Sequence, residues 1–138
     1  TFTGKYLNFS FQYSGKLGTA SSSRTTQLGK TVEDIKMGGM TVSVNAYYAD
    51  SGEASNLLTY ETTNTKVGAT GYINTYKNKL DGSSGYYIYG VILVDNPRSK
   101  CYLSINGEST TLGGINAMKA EARTILTTFT ANFTPVCP

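Results

Sequence analysis

Nine carboxylates, eleven tyrosines, two cysteines and no histidine define the chemistry open to this chain of 138 residues. Histidine is the commonest general base and the commonest metal ligand, so its absence excludes the serine, cysteine and metal hydrolase arrangements built on it. Catalysis would fall to the carboxylates Glu33, Asp34, Asp50, Glu53, Glu61, Asp81, Asp95, Glu108 and Glu121. A glycosidase needs two of them facing each other at a defined separation. Glu33 and Asp34 are instead neighbours in a polar stretch, and Asp81 and Asp95 sit in turn-forming sequence. They read as turn formers and solvated charges. Gly38-Gly39 and Gly113-Gly114 lack the spacing and the lysine of a phosphate loop. The expectation is a non-enzymatic chain with no catalytic residue, no metal site and no cofactor.

Cys101 and Cys137 form no CxxC pair and have no histidine partner, so zinc and redox motifs fail. Cys101 falls in an apparent strand and Cys137 in the tail Thr134-Pro135-Val136-Cys137-Pro138. Thiols buried free or a single bridge are the two readings, and a tail cysteine favours the bridge. Closing that loop would stabilise the fold by about 3.8 kcal/mol on a chain-entropy model. A disulfide implies an oxidising address, secreted or at the cell envelope. The tripeptides Asn8-Phe9-Ser10 and Asn132-Phe133-Thr134 match the glycosylation acceptor pattern. No apolar run approaches the length of a membrane span. The start, Thr1-Phe2-Thr3-Gly4, has no signal-peptide pattern, as expected where a leader or anchor has been removed.

Only 15% of the residues are charged, and the net charge of +3 is spread without a basic run. A nucleic-acid partner is therefore not expected. Serine and threonine, 33 residues together, supply the polarity instead. The tyrosines are too many for one core of this size. Those on a solvent face, with Tyr47, Tyr76, Tyr87 and Tyr89 as candidates, would offer an aromatic surface for a protein or carbohydrate partner, or for self-association.

Residues 1–138 read as one domain. Leu7, Phe9, Phe11 and Tyr13 alternate with polar residues, which predicts a half-buried strand over Lys5–Tyr13. Residues 15–30 read as a polar loop, with at most a short strand near Thr25–Leu28. Met40, Val42, Val44, Ala46 and Tyr48 predict a second strand after the Gly38-Gly39 turn. A short middle helix is expected over Ala54–Thr62, then strands over Gly71–Lys77 and Tyr86–Val94, the latter apolar on both alternations and so central. Lys100–Ile105 and Glu108–Leu112 would pair as a hairpin around Asn106-Gly107. Ile115, Met118, Ala122, Ile125, Leu126, Phe129 and Phe133 form the apolar stripe of a long C-terminal amphipathic helix, with Lys119, Glu121 and Arg123 outward. The class is α+β: an antiparallel β-sheet of about five to seven strands, a short middle helix, and the long helix packed on the sheet.

This order of elements resembles the Mog1/PsbP/DcrB-like group of small α+β domains common in exported lipoproteins. The resemblance is carried by the opening strand Phe9-Ser10-Phe11-Gln12-Tyr13 and by Gly71-Tyr72 before the apolar strand Tyr86–Val94. Cys101-Tyr102-Leu103-Ser104-Ile105 and the closing helix Glu121-Ala122-Arg123-Thr124-Ile125-Leu126-Thr127-Thr128-Phe129 complete it. It implies a non-catalytic accessory or binding domain. The composition also resembles that of surface-fibre subunits such as type IV pilins, which often close a C-terminal loop by a disulfide. That alternative implies a structural subunit of an extracellular fibre or pilus, with the N-terminal strand donated to a neighbour.

Overall fold

In the computed structural model, residues 1–46, 56–78, 84–94 and 102–135 are described. Tyr47, Cys101 and Cys137 lie outside them, as do Asp50, Glu53, Asp81 and Asp95. The described chain runs β1 (Phe2–Thr3), β2 (Phe9–Phe11), β3 (Ser21–Gln27), β4 (Lys30–Met37), β5 (Met40–Val44), β6 (Leu57–Asn64), β7 (Thr70–Lys77), β8 (Tyr86–Leu93), β9 (Leu103–Ser109), α1 (Leu112–Thr128) and β10 (Thr130–Ala131). Among the described residues, β3-β4-β5-β9-β8-β7-β6 form a seven-stranded sheet, antiparallel at every junction, with β3 and β6 at its edges. A small sheet, β1-β2-β10, holds the N-terminal segment beside the helix exit.

α1 starts at Thr111, whose hydroxyl accepts the Gly114 amide at 3.0 Å and so satisfies one of the free donors of the first turn. Its stripe Ile115, Met118, Ala122, Ile125 and Leu126 packs on one face of the large sheet. The sheet answers with Ile35, Met37, Met40, Val42, Val44, Ile73, Ile88, Ile92, Leu103 and Ile105. Burying each such side chain is worth about 1.5–3 kcal/mol, and this layer is the core. Phe9, Phe11 and Phe129 extend it under the small sheet, with Phe2, Phe9 and Phe11 stacked at centroid distances of 5.3–6.1 Å.

Four expectations change. The short middle helix is absent from the described residues: 57–64 form the edge strand β6, where Thr59, Tyr60, Thr62 and Thr63 suit a pleated surface better than a helix. Asn106-Gly107 is not a turn, because β9 runs straight through it. Gly107 is needed for close approach: a Cβ there would lie 2.9 Å from Met118 Sδ and 3.0 Å from Ile88 Cγ2. The polar loop expected over residues 15–30 holds the strand β3 and the turn into β4, made by Leu28 and Gly29 at φ 52° and 78°. Two left-handed residues in succession make the tight turn that matches strand twist.

The fourth concerns two carboxylates. Glu33 lies mid-strand in β4, fully buried, and Glu121 faces the core side of α1 at 4% exposure rather than outward. Glu33 Oε1 accepts the amides of Tyr6 and Leu7 at 2.8 and 3.1 Å, and Oε2 accepts the Lys5 amide at 2.9 Å and the Ser22 hydroxyl at 2.6 Å. Glu121 accepts the Ser14 amide at 2.7 Å and the Ser14 hydroxyl. Both carboxylates therefore serve as anchors for the N-terminal segment, supplying acceptors to backbone that no strand pairs.

Candidate functional site

Among the described residues no helix packs on the second face of the large sheet, and its side chains follow from the register. Across one transverse row stand Tyr60 on β6, Asn74 on β7, Tyr89 on β8, Asn106 on β9, Thr41 on β5 and Lys36 on β4. Strand alternation places all six opposite the α1-covered residues Ile73, Ile88, Ile105 and Val42. Tyr60 is 55% exposed, Asn106 and Lys36 are exposed, and Asn74, Tyr89 and Thr41 are half-buried. Aromatic and amide side chains thus alternate strand by strand over β6, β7, β8 and β9.

Flanking rows complete the surface. Tyr72 lies on β7 beside Tyr60, ring centroids 5.8 Å apart. Burial, then the neighbouring Tyr72, pushes the Tyr60 phenol above its ordinary value, which keeps it a neutral hydroxyl. On β4 and β5, Asp34 accepts the Ser43 hydroxyl at 2.6 Å and the Thr25 hydroxyl at 3.2 Å. Ser104, one strand further, is fully buried with no partner for its hydroxyl. Asn74 likewise has no donor for its amide oxygen.

Tyr76 and Tyr87, both expected at the surface, pair across β7 and β8 and are buried at 7% and 9% exposure. The Tyr87 hydroxyl donates to Ser84 O at 3.0 Å. Its ring lines a cleft of about 280 Å³ with Ser84, Glu108, Ser109 and Thr110. Tyr89 is thus the one expected site tyrosine among the described residues that joins the row. Tyr60, Asn74 and Asn106 join it too. Reading residues 54–62 as a helix and Asn106 as a turn hid their common register.

The described carboxylates are engaged in structural contacts or stand apart. Glu33, Glu121 and Asp34 accept the bonds given above, and Glu61 binds Arg123 Nη2 at 2.9 Å on the helix side. Glu108 is exposed at the cleft. Among the described residues no three potential metal ligands come together, and no helix is long and apolar enough to cross a membrane. Comparison with protein-family models, with curated proteins and with solved structures finds no match for this chain.

Proposed function

We propose that this chain is a non-catalytic binding domain of the cell exterior or envelope, which recognises a carbohydrate or protein partner through the sheet face opposite α1. The observation that carries this reading is the row Tyr60–Asn74–Tyr89–Asn106, an uncharged run of aromatic rings and amides on rigid strands. Rings supply contact area at little entropic cost, and amides supply direction through paired donors and acceptors. Strands hold both more firmly than loops do. The reading agrees with the accessory role implied by the resemblance to exported α+β domains, and with an oxidising address for Cys101 and Cys137.

The test presents the full chain to arrays of extracellular glycans and proteins, beside Tyr60→Ala and the helix-side control Leu112→Ser. Binding lost in Tyr60→Ala and kept in Leu112→Ser supports the reading. Binding that no substitution on this face alters overturns it.

A second reading, subunit of an extracellular fibre, draws on the edge strand β6, where Leu57, Leu58 and Tyr60 are all exposed. Open edges template pairing with another chain. Size-exclusion chromatography and electron microscopy separate the two, with filaments expected only for the fibre subunit. The donated-strand version has less support, since β2 pairs with β1 and β10 of its own chain and buries Phe9 and Phe11 there.

A further inference from the structure

We infer that residues 1–14 form a strap that opens from the rest of the fold as one unit in acid, with Glu33 as its latch; this goes beyond the binding-domain reading and does not rest on it. The first argument is how the segment is built. β1 and β2 pair with each other, Phe2 opposite Phe11 and Thr3 opposite Ser10, and the Gly4 amide donates to Phe9 O at 2.9 Å. Phe2, Phe9 and Phe11 stack on one another within it. These contacts are internal to the segment and survive when it lifts away. A hinge stands at its end. Gly15 and Gly18 hold φ of 82° and 128°, and a Cβ at Gly15 would meet nothing within 4 Å.

The second argument is what holds the strap down. Its backbone meets the body beside β10, where Thr130 and Ala131 face Ser10 and Phe9, and through the Gln12 amide on the Thr128 hydroxyl. Phe9 rests on Phe129, ring centroids 5.9 Å apart. Two carboxylates do the rest: Glu121 takes Ser14 at the hinge, and Glu33 takes the Lys5, Tyr6 and Leu7 amides at the far end. Glu33 is fully buried, with the Ser22 hydroxyl of β3 as its fourth donor. Backbone amides can only donate, so each needs a lone pair on Glu33. A proton on Oε1 faces the Tyr6 and Leu7 amides. A proton on Oε2 faces the Lys5 amide, and Ser22 alone can turn to accept it. Either way the strap loses its bonds, while β4 keeps its pairing with β3 and β5.

The titratable neighbours of Glu33 are Lys5 and Tyr6 on the strap and Arg24, opposite it on β3; β5 sets Val44 opposite. Among the described residues none of them forms an ion pair with it. Neutral donors therefore hold the charge, outweighing burial and keeping the carboxyl below its ordinary value. The latch is complete at neutral pH and is lost as pH falls through that lowered value.

Amide hydrogen exchange on the full chain, followed by NMR from about pH 6 to about pH 3 and corrected for intrinsic rates, tests the inference. The Lys5, Tyr6, Leu7 and Gln12 amides should lose protection about tenfold or more on acidification. Those of Ile35, Val42 and Ile105, inside the large sheet, should keep theirs. Glu33→Gln should show the low strap protection already at neutral pH, with no further loss in acid. Ser22→Ala removes one donor from the charged latch and should shift the opening to higher pH, which serves where Glu33→Gln fails to fold. Strap and central-strand amides losing protection together overturns the inference. So does strap protection that stays constant with pH, or an opening pH that Ser22→Ala leaves unmoved.

Discussion

Glu121 on α1 receives both the amide and the hydroxyl of Ser14, a residue 107 positions earlier in the chain. One carboxylate thereby fastens the exit of the N-terminal segment to the helix. Replacing it by alanine leaves two donors without their acceptor, and hydrogen bonds to charged groups are worth about 1.5–3 kcal/mol. Ser14 is exposed, so water recovers part of this. Glu121→Ala is expected to lower stability by about 2 kcal/mol in urea unfolding, and Ser14→Gly by less. An unchanged midpoint in both would sink the anchoring role.

Glu33 sets an acid limit on stability. Burial acts to raise its pKa, but the Ser22 hydroxyl and the amides of Lys5, Tyr6 and Leu7 outweigh it and hold the carboxyl below its ordinary value. A group whose pKa falls on folding stabilises above its unfolded value, and that contribution is lost as pH drops through the folded one. Glu33→Gln is expected to cost roughly 3 kcal/mol at neutral pH. The gap from the parent protein should narrow as unfolding is measured at ever lower pH below about 4.3, the ordinary glutamate value. A gap that widens toward acid contradicts this assignment.

Gly107 and Met118 form a matched pair in which the glycine of β9 makes room for the helix side chain. Gly107→Ala puts a methyl 2.9 Å from Met118 Sδ and 3.0 Å from Ile88 Cγ2. Overpacking of this kind costs about 1–3 kcal/mol. Met118→Ala is itself destabilising, yet the two together should cost less than their sum, because the shortened side chain frees the space. Strict additivity in a double-mutant cycle would show that the strain lies elsewhere.

The proposed Cys101–Cys137 bridge has a direct readout. Intact mass under non-reducing conditions should be lower than that of the reduced chain by two hydrogens, and reduction should bring down the thermal midpoint. Equal masses would remove the argument for an oxidising address.

How far the sequence carried the fold depends on where each element draws its stability. The strands with apolar alternation, Met40–Val44, Thr70–Lys77 and Tyr86–Leu93, and the stripe of α1 were legible because burial imposes a period on the residues themselves. β3 was not: Ser21 to Gln27 is polar on both faces and exists because β4 pairs with it at the sheet edge. Glu33 and Glu121 were misplaced for a related reason. Their partners are backbone amides and a serine far away in sequence, and nothing local distinguishes a carboxylate that anchors a strap from one in water. The abundance of tyrosine is read from composition, but the row depends on register, which only tertiary pairing sets.

Among the described residues the seven strands of the large sheet, each antiparallel to the next, leave its edges β3 and β6 running in the same direction. Copies joined β6 to β3 with their helices on one side would meet in parallel. To meet antiparallel, the second copy must be turned over, which sends its helix to the opposite side and interrupts the Tyr–Asn face at every junction. Joining β6 to a second β6 about a twofold axis keeps the pairing antiparallel and both helices on one side, but uses that edge up at two copies. The odd count of the described sheet therefore sets continuous growth against a continuous Tyr–Asn row.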